Sequence, residues 1–257
     1  KMYPIKWSTK IICDNAFNGC HSLNNIEIPS SVLKIGDKAF FCCNKMEDVQ
    51  MSSQTKYIGV GAFAGCESLK TISISSHTDI DIINEYTFYG CKQLENIEIP
   101  QKTITIGKSA FSGCINIKHI TIPSLVTKIG DFAFYNCKSL ELITIPLLVT
   151  RIGDFAFSGC ENLKTITILS NCNIGDYAFS NCRKLEKINI SPDIVNVGYG
   201  AFYGCENLSN DTLKDLYERF GPKAFEKEKI RKRRRTNSIE NSIELQVALT
   251  NAIWKCY

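Results

Sequence analysis

The chain has 257 residues, 44% of them hydrophobic and 22% charged. Those are proportions of a globular chain, and no stretch approaches the eighteen or so apolar residues that span a bilayer. The formal net charge of +4 is uneven, since residues 221–257 hold 9 Lys/Arg against 4 Asp/Glu while the other 220 residues hold 21 against 22. The body is therefore almost neutral and carries no electrostatic footprint of a nucleic-acid binder.

The first ten residues, KMYPIKWSTK, have no apolar core and no small-residue cleavage site, so they do not read as a signal peptide. Taken alone, that absence points to a cytoplasmic or nuclear compartment. Tyr3 and Ile5 stand where the strand pair of an earlier repeat would fall. They are either a degenerate first strand or a sign that the chain is a piece of a longer one.

From there one unit recurs. Phenylalanine returns at Phe17, Phe40, Phe63, Phe88, Phe111, Phe134, Phe157, Phe179 and Phe202, in steps of 22, 23 or 25 residues. Three residues after each comes a cysteine, from Cys20 to Cys205, and three further on a Leu, Ile or Met such as Leu23 or Met46. Two apolar positions one residue apart follow, as in Ile26 and Ile28 or Ile143 and Ile145. Nine copies at one period define a repeat architecture.

Each unit has a physical reading. NIEIP and HITIP alternate with period two in β-branched residues, which predicts a short strand. Proline ends it at Pro29, Pro100, Pro123 and Pro146, because proline cannot donate to a ladder. In KIGDKAF, Gly36 is expected to turn the chain and Asp37 to cap a short helical turn carrying Phe40. Gly65, Gly113, Asn136 and Gly159 are expected to turn it back. No unit can bury its apolar face alone, but stacked units can, through ladders of Ile, Phe, Cys and Leu.

The pattern LxxIxIPxxVTxIGxxAFxxC resembles the BspA-like class of leucine-rich repeats over roughly residues 3–213. The resemblance implies an α/β solenoid: a right-handed leucine-rich-repeat superhelix of about nine 23-residue coils. Short parallel strands would lie on the concave face, with turns or short helices on the convex one. It also implies a surface antigen or adhesion-type protein, as in bacteria and anaerobic protists, and hence a cell-surface location. Phe88 departs from the pattern, preceded by NEYT, and a two-residue insertion falls near Thr78–Asp81. The 22-residue unit has LSNCNIGD in place of proline and its spacer. These departures predict bulges on the rim.

Thirteen cysteines suggest three readings. Equivalent residues in stacked coils lie about 5 Å apart, so disulfides are geometrically open. A metal or redox site would need a ligand spacing that a 23-residue period without CxxC does not supply. A small, soft hydrophobe filling one tight position per coil fits the pattern, and the cysteines are read as core.

The solenoid is expected over residues 1–209. SNDTLKDLYERFGP then predicts a helix capped by Asn210 or Asp211, with Leu213, Leu216, Tyr217 and Phe220 on one face, ended by Gly221-Pro222. It would cap the stack over residues 210–222. Residues 223–257 form a basic tail containing Arg231, Lys232, Arg233, Arg234 and Arg235. Such a run suits nuclear import, nucleic acid, membrane headgroups or a solvated linker. SIELQVAL beyond it fits a strand or a helix face equally well.

No catalytic constellation, metal set or cofactor loop emerges: His21, His77 and His119 sit at three unrelated repeat positions. The expectation is a protein that is not an enzyme, takes no cofactor or small-molecule substrate, and binds another protein. The candidate surface is the row between the apolar strand positions: Glu27, Gln50, Ser73, Glu98, Thr121, Thr144, Thr167 and Asn189. Its threonines either reflect strand preference alone or offer hydroxyls and methyls to an extended partner. An intracellular or nuclear scaffold addressed by the tail is the alternative reading.

Overall fold

The computed structural model describes residues 5–76, 78–194 and 196–226. Tyr3, His77 and the basic run Arg231–Arg235 lie outside the described residues. Strands alternate along the chain as β1 (Ile11–Ile12), β2 (Asn25–Glu27), β3 (Lys34–Ile35), β4 (Asp48–Gln50), β5 (Tyr57–Ile58) and β6 (Thr71–Ser73). They continue as β7 (Ile82–Ile83), β8 (Asn96–Ile97), β9 (Thr105–Ile106), β10 (Lys128–Ile129), β11 (Leu142–Ile145), β12 (Arg151–Ile152), β13 (Thr165–Ile168), β14 (Asn173–Ile174) and β15 (Lys187–Ile190).

All pairings are parallel and join one coil to the next, which is the solenoid that the repeat predicts. The expected strands pair as β2-β4-β6-β8 and β11-β13-β15. A second ladder, β1-β3-β5 and β7-β9-β10-β12-β14, runs through the segment that the sequence assigns to a turn. Two-residue strands are too short to show alternation, so periodicity cannot reveal them.

The reading of IGD changes accordingly. Gly36 keeps an ordinary backbone and closes the strand; glycine serves close approach rather than turning. A Cβ on Gly130 would stand 2.6 Å from the Lys108 nitrogen and 2.7 Å from the Gly107 carbonyl carbon. Asp37 caps no helix: its Oδ1 accepts the Val60 amide one coil on, at 2.9 Å, as Asp14 accepts that of Asp37 at 2.8 Å. Helix is prevented because the next residue is left-handed, as at Lys38 (φ 53°) and Phe132 (φ 58°). A second left-handed residue follows each phenylalanine, at Gly65, Gly113, Asn136 and Gly159 as expected, but also at Cys42. Between these two positions every other amide reaches forward one coil, as Phe134 does to the Ala156 carbonyl at 2.7 Å.

Nine phenylalanines stack face to face from Phe17 to Phe202, with centroids 5.0–6.0 Å apart. Phe40 through Phe202 are fully enclosed, but Phe17, with a neighbour on one side, is half-buried. The departures stay local. Asn84 replaces the glycine and donates from Nδ2 to the Ile58 carbonyl at 2.7 Å, and Thr87 replaces the alanine with its hydroxyl on the Asn84 carbonyl.

Helix α1 (Asn210–Phe220) is capped by the Ser209 side chain, which accepts the Thr212 amide, rather than by Asn210 or Asp211. It buries Leu216 and Phe220, whereas Leu213 and Tyr217 face solvent. Gly221 ends it with φ at 70°. GPKAF at 221–225 is a tenth copy of the GDKAF motif that the count of nine misses. Phe202 donates its amide to the Ala224 carbonyl at 2.8 Å, and Phe225 stacks, tilted, on Phe202.

Candidate binding face

Six of the eight candidate residues lie on the solvent side of the first ladder, Glu98 follows β8 by one residue, and Thr121 falls where the ladder lapses. Parallel register sets Glu27, Gln50 and Ser73 in one row, and Thr144, Thr167 and Asn189 in another. Alternation is the cause: Ile143 and Ile145 point into the core, so Thr144 must point out. Thr167 is half-buried, and the other seven are exposed. Thr121 and its neighbour His119 are exposed but belong to no strand, because the ladder lapses between β8 and β11. The array is thus two panels rather than one continuous row, an interruption that HITIP gives no hint of.

The panels differ. In the first, the Lys70 ammonium meets Glu47 at 2.8 Å, which raises its pKa, and the Thr71 hydroxyl donates to Asp48. Among the described residues no ion pair holds Glu27 or Glu98. In the second panel Asn189 Nδ2 donates to Thr167 Oγ1 at 3.3 Å, continuing the threonine row. Here an open depression of about 360 Å³ straddles β11 and β13, lined by Glu141, Leu142, Ile143, Thr144, Lys164, Thr165 and Thr167. Leu142 is 52% exposed, and Leu147, Leu148 and Leu169 are exposed on the loops of the same two coils, with Leu125 on the coil before them. Sequence reasoning passes over the loop leucines; PLLV, where other coils put polar residues after proline, is the signal that could have found Leu147 and Leu148.

Among the described residues the cysteines of the ladder belong to the core. None of the twelve described cysteines is in a disulfide, and from Cys43 onward those of the ladder donate their thiols to the phenylalanine carbonyl one coil back, as Cys137 does to Phe111 at 3.2 Å. Burial pushes the thiols of Cys91, Cys114 and Cys137 well up, and that of Cys160 up to about 12, which suppresses the reactive thiolate. His21 directs its Nδ1 to the Cys42 carbonyl at 3.1 Å. Among the described residues no cluster of His, Cys, Asp and Glu has the makings of a metal site, and no helix is long and apolar enough to cross a membrane.

The BspA type leucine rich repeat region matches residues 3–82, 81–190 and 127–245, in six copies. Among solved structures, a leucine-rich repeat protein from Bacteroides ovatus is 29% identical over 80% of this chain, with a TM-score of 0.61. A leucine rich cell surface protein from Faecalibacterium prausnitzii is 27% identical over 78%, with a TM-score of 0.63. The chain spans 58% and 64% of those two proteins. A T. pallidum leucine rich repeat protein, 24% identical over 86% of this chain and 96% of its own, shares the fold at a TM-score of 0.61. A search of curated proteins finds no match.

Proposed function

The chain belongs to the BspA-type leucine-rich repeat family, and on that premise we propose that it is a non-enzymatic protein-binding solenoid of the surface-antigen or adhesion type. Solenoids of this family are generally non-enzymatic. The observation that carries the reading is the strand face itself: an exposed, hydroxyl-bearing panel with a depression, held rigid by two ladders and an aromatic stack. Rigid solenoid faces suit extended partners, since little ordering entropy is lost on the solenoid side. The Faecalibacterium relative is described as a cell surface protein, which supports carrying the location over.

The test is a Thr144→Arg, Thr167→Arg variant, which fills the depression without touching the core. Binding to immobilised extracellular-matrix proteins should fall sharply while circular dichroism and melting temperature stay as in the parent. A variant that binds like the parent would sink the strand-face reading. A membrane-impermeant biotin label on intact cells should mark the protein; labelling only after lysis would overturn the surface role.

A further inference from the structure

The strand face is electrically lopsided along its length. Its first panel carries Glu27 and Glu98 three coils apart, with Asp48 between them, while the second panel holds hydroxyls, Leu142, Lys187 and the depression edged by Glu141 and Lys164. Glu47 is already neutralised by Lys70, and within the row between the apolar positions Glu27 and Glu98 are the two carboxylates offered to a partner. Five exposed leucines, Leu125, Leu142, Leu147, Leu148 and Leu169, lie in or next to the second panel, and clustered apolar surface of this kind marks contact sites.

Resting on the strand-face reading, we propose that the partner is an extended polypeptide segment that crosses the coils, setting two basic side chains over Glu27 and Glu98 and one aliphatic side chain in the depression between Leu142, Thr144 and Thr167. Charge complementarity selects its basic end and the depression its apolar one. Coil spacing sets the pattern. Glu27 to Glu98 is three steps of about 4.8 Å, and Glu98 to the depression is two and a half. An extended chain advances about 3.3 Å per residue, so each interval corresponds to roughly four residues.

A fluorescein-labelled tetradecapeptide of serine and threonine, with lysine at positions 3 and 7 and leucine at position 11, is the probe. Anisotropy titration should show it binding roughly tenfold tighter than the same peptide with both lysines replaced by glutamate, since two exposed charge pairs change sign. A Glu27→Lys, Glu98→Lys variant should reverse that ranking, an outcome that a merely misfolded protein could not give. Moving the leucine to position 5 should weaken binding to the parent. Equal affinity for the two peptides, or a ranking unmoved by the charge swap, overturns the basic partner; if Thr144→Arg still abolishes binding in that case, the strand face survives without it. Binding by no peptide up to millimolar concentration, with a labelled oligosaccharide bound instead, overturns the polypeptide class.

Discussion

The cysteine of each coil shows why one residue type persists through the ladder. Its site is closed to solvent, and its thiol reaches a phenylalanine carbonyl that also accepts the cysteine amide of its own coil. Alanine would leave a void and valine has no donor, whereas a thiol fills space and donates weakly. Phe134 rests between rings 5.2 and 5.0 Å away and is fully buried. Phe134→Ala should cost about 3–5 kcal/mol in urea unfolding, while Thr144→Ala should stay within about 0.5 kcal/mol. Equal losses would contradict the stacked core. Asp154 is the residue with a pH signature. Burial raises its pKa, with the Asp131 and Asp176 carboxylates adding to the rise. The folded state therefore holds this proton to higher pH than the unfolded chain, and stability falls as pH rises through that window. Asp154→Asn keeps the acceptor for the Asp176 amide, so the variant should melt higher than the parent near neutral pH. The difference should vanish below about pH 4, where the parent is protonated too. A constant difference across pH would refute this account.

A coil is stable only against its neighbours, and that makes stacked charge a problem at the scale of the element. Any surface position recurs about 5 Å away in the next coil. The chain answers by alternation. From the second coil on, the position before the first-ladder strand, or its equivalent, reads Glu47, Lys70, Glu95, Lys118, Glu141, Lys164, Glu186, and neighbouring members are joined by backbone hydrogen bonds such as that from the Lys164 amide to the Glu141 carbonyl. After the cysteine, Glu67 pairs with Lys92 at 2.7 Å and Lys138 with Glu161 at 2.9 Å. Each exposed pair contributes little; the larger effect is that a slip of one coil would bring like charges together. Lys164→Glu, which sets three acidic side chains in successive coils, should lower stability by about 1 kcal/mol at low ionic strength, and 0.5 M salt should remove most of the loss. A loss insensitive to salt would point to packing instead. This alternation is legible in the sequence once the period is known. The second ladder is not, because Lys34–Ile35 and its equivalents present one inward residue each.

At the scale of the molecule, a solenoid whose coils touch only neighbours should tolerate loss of a whole period. Deleting residues 131–153 joins Gly130 to Asp154, restores IGD and brings Phe111 against Phe157. The shortened protein should fold with the same β-rich circular dichroism and a lower melting temperature. A deletion variant that stays unfolded would mean that one coil holds a long-range contact that the stack does not require. The described stack is also asymmetric: Phe17 is half-buried at one end, while Phe202 is hydrogen-bonded to Ala224 and stacked, tilted, on Phe225 at the other.

By itself the sequence determined the period, the inward Ile, Phe, Cys and Leu rows and the outward placement of Thr144 and Thr167, because each follows from alternation repeated at a fixed interval. It also placed α1, though with the wrong cap, since Ser209, Asn210 and Asp211 all suit an N-cap and it is Ser209 whose amide is held by the Glu186 carbonyl one coil back, outside the helix. Tertiary structure alone decided that glycine at IGD serves close approach, that its aspartate reaches across coils, and that the first ladder lapses around Thr121. Those features depend on what lies in the neighbouring coil, some 23 residues away, where local propensity has no reach.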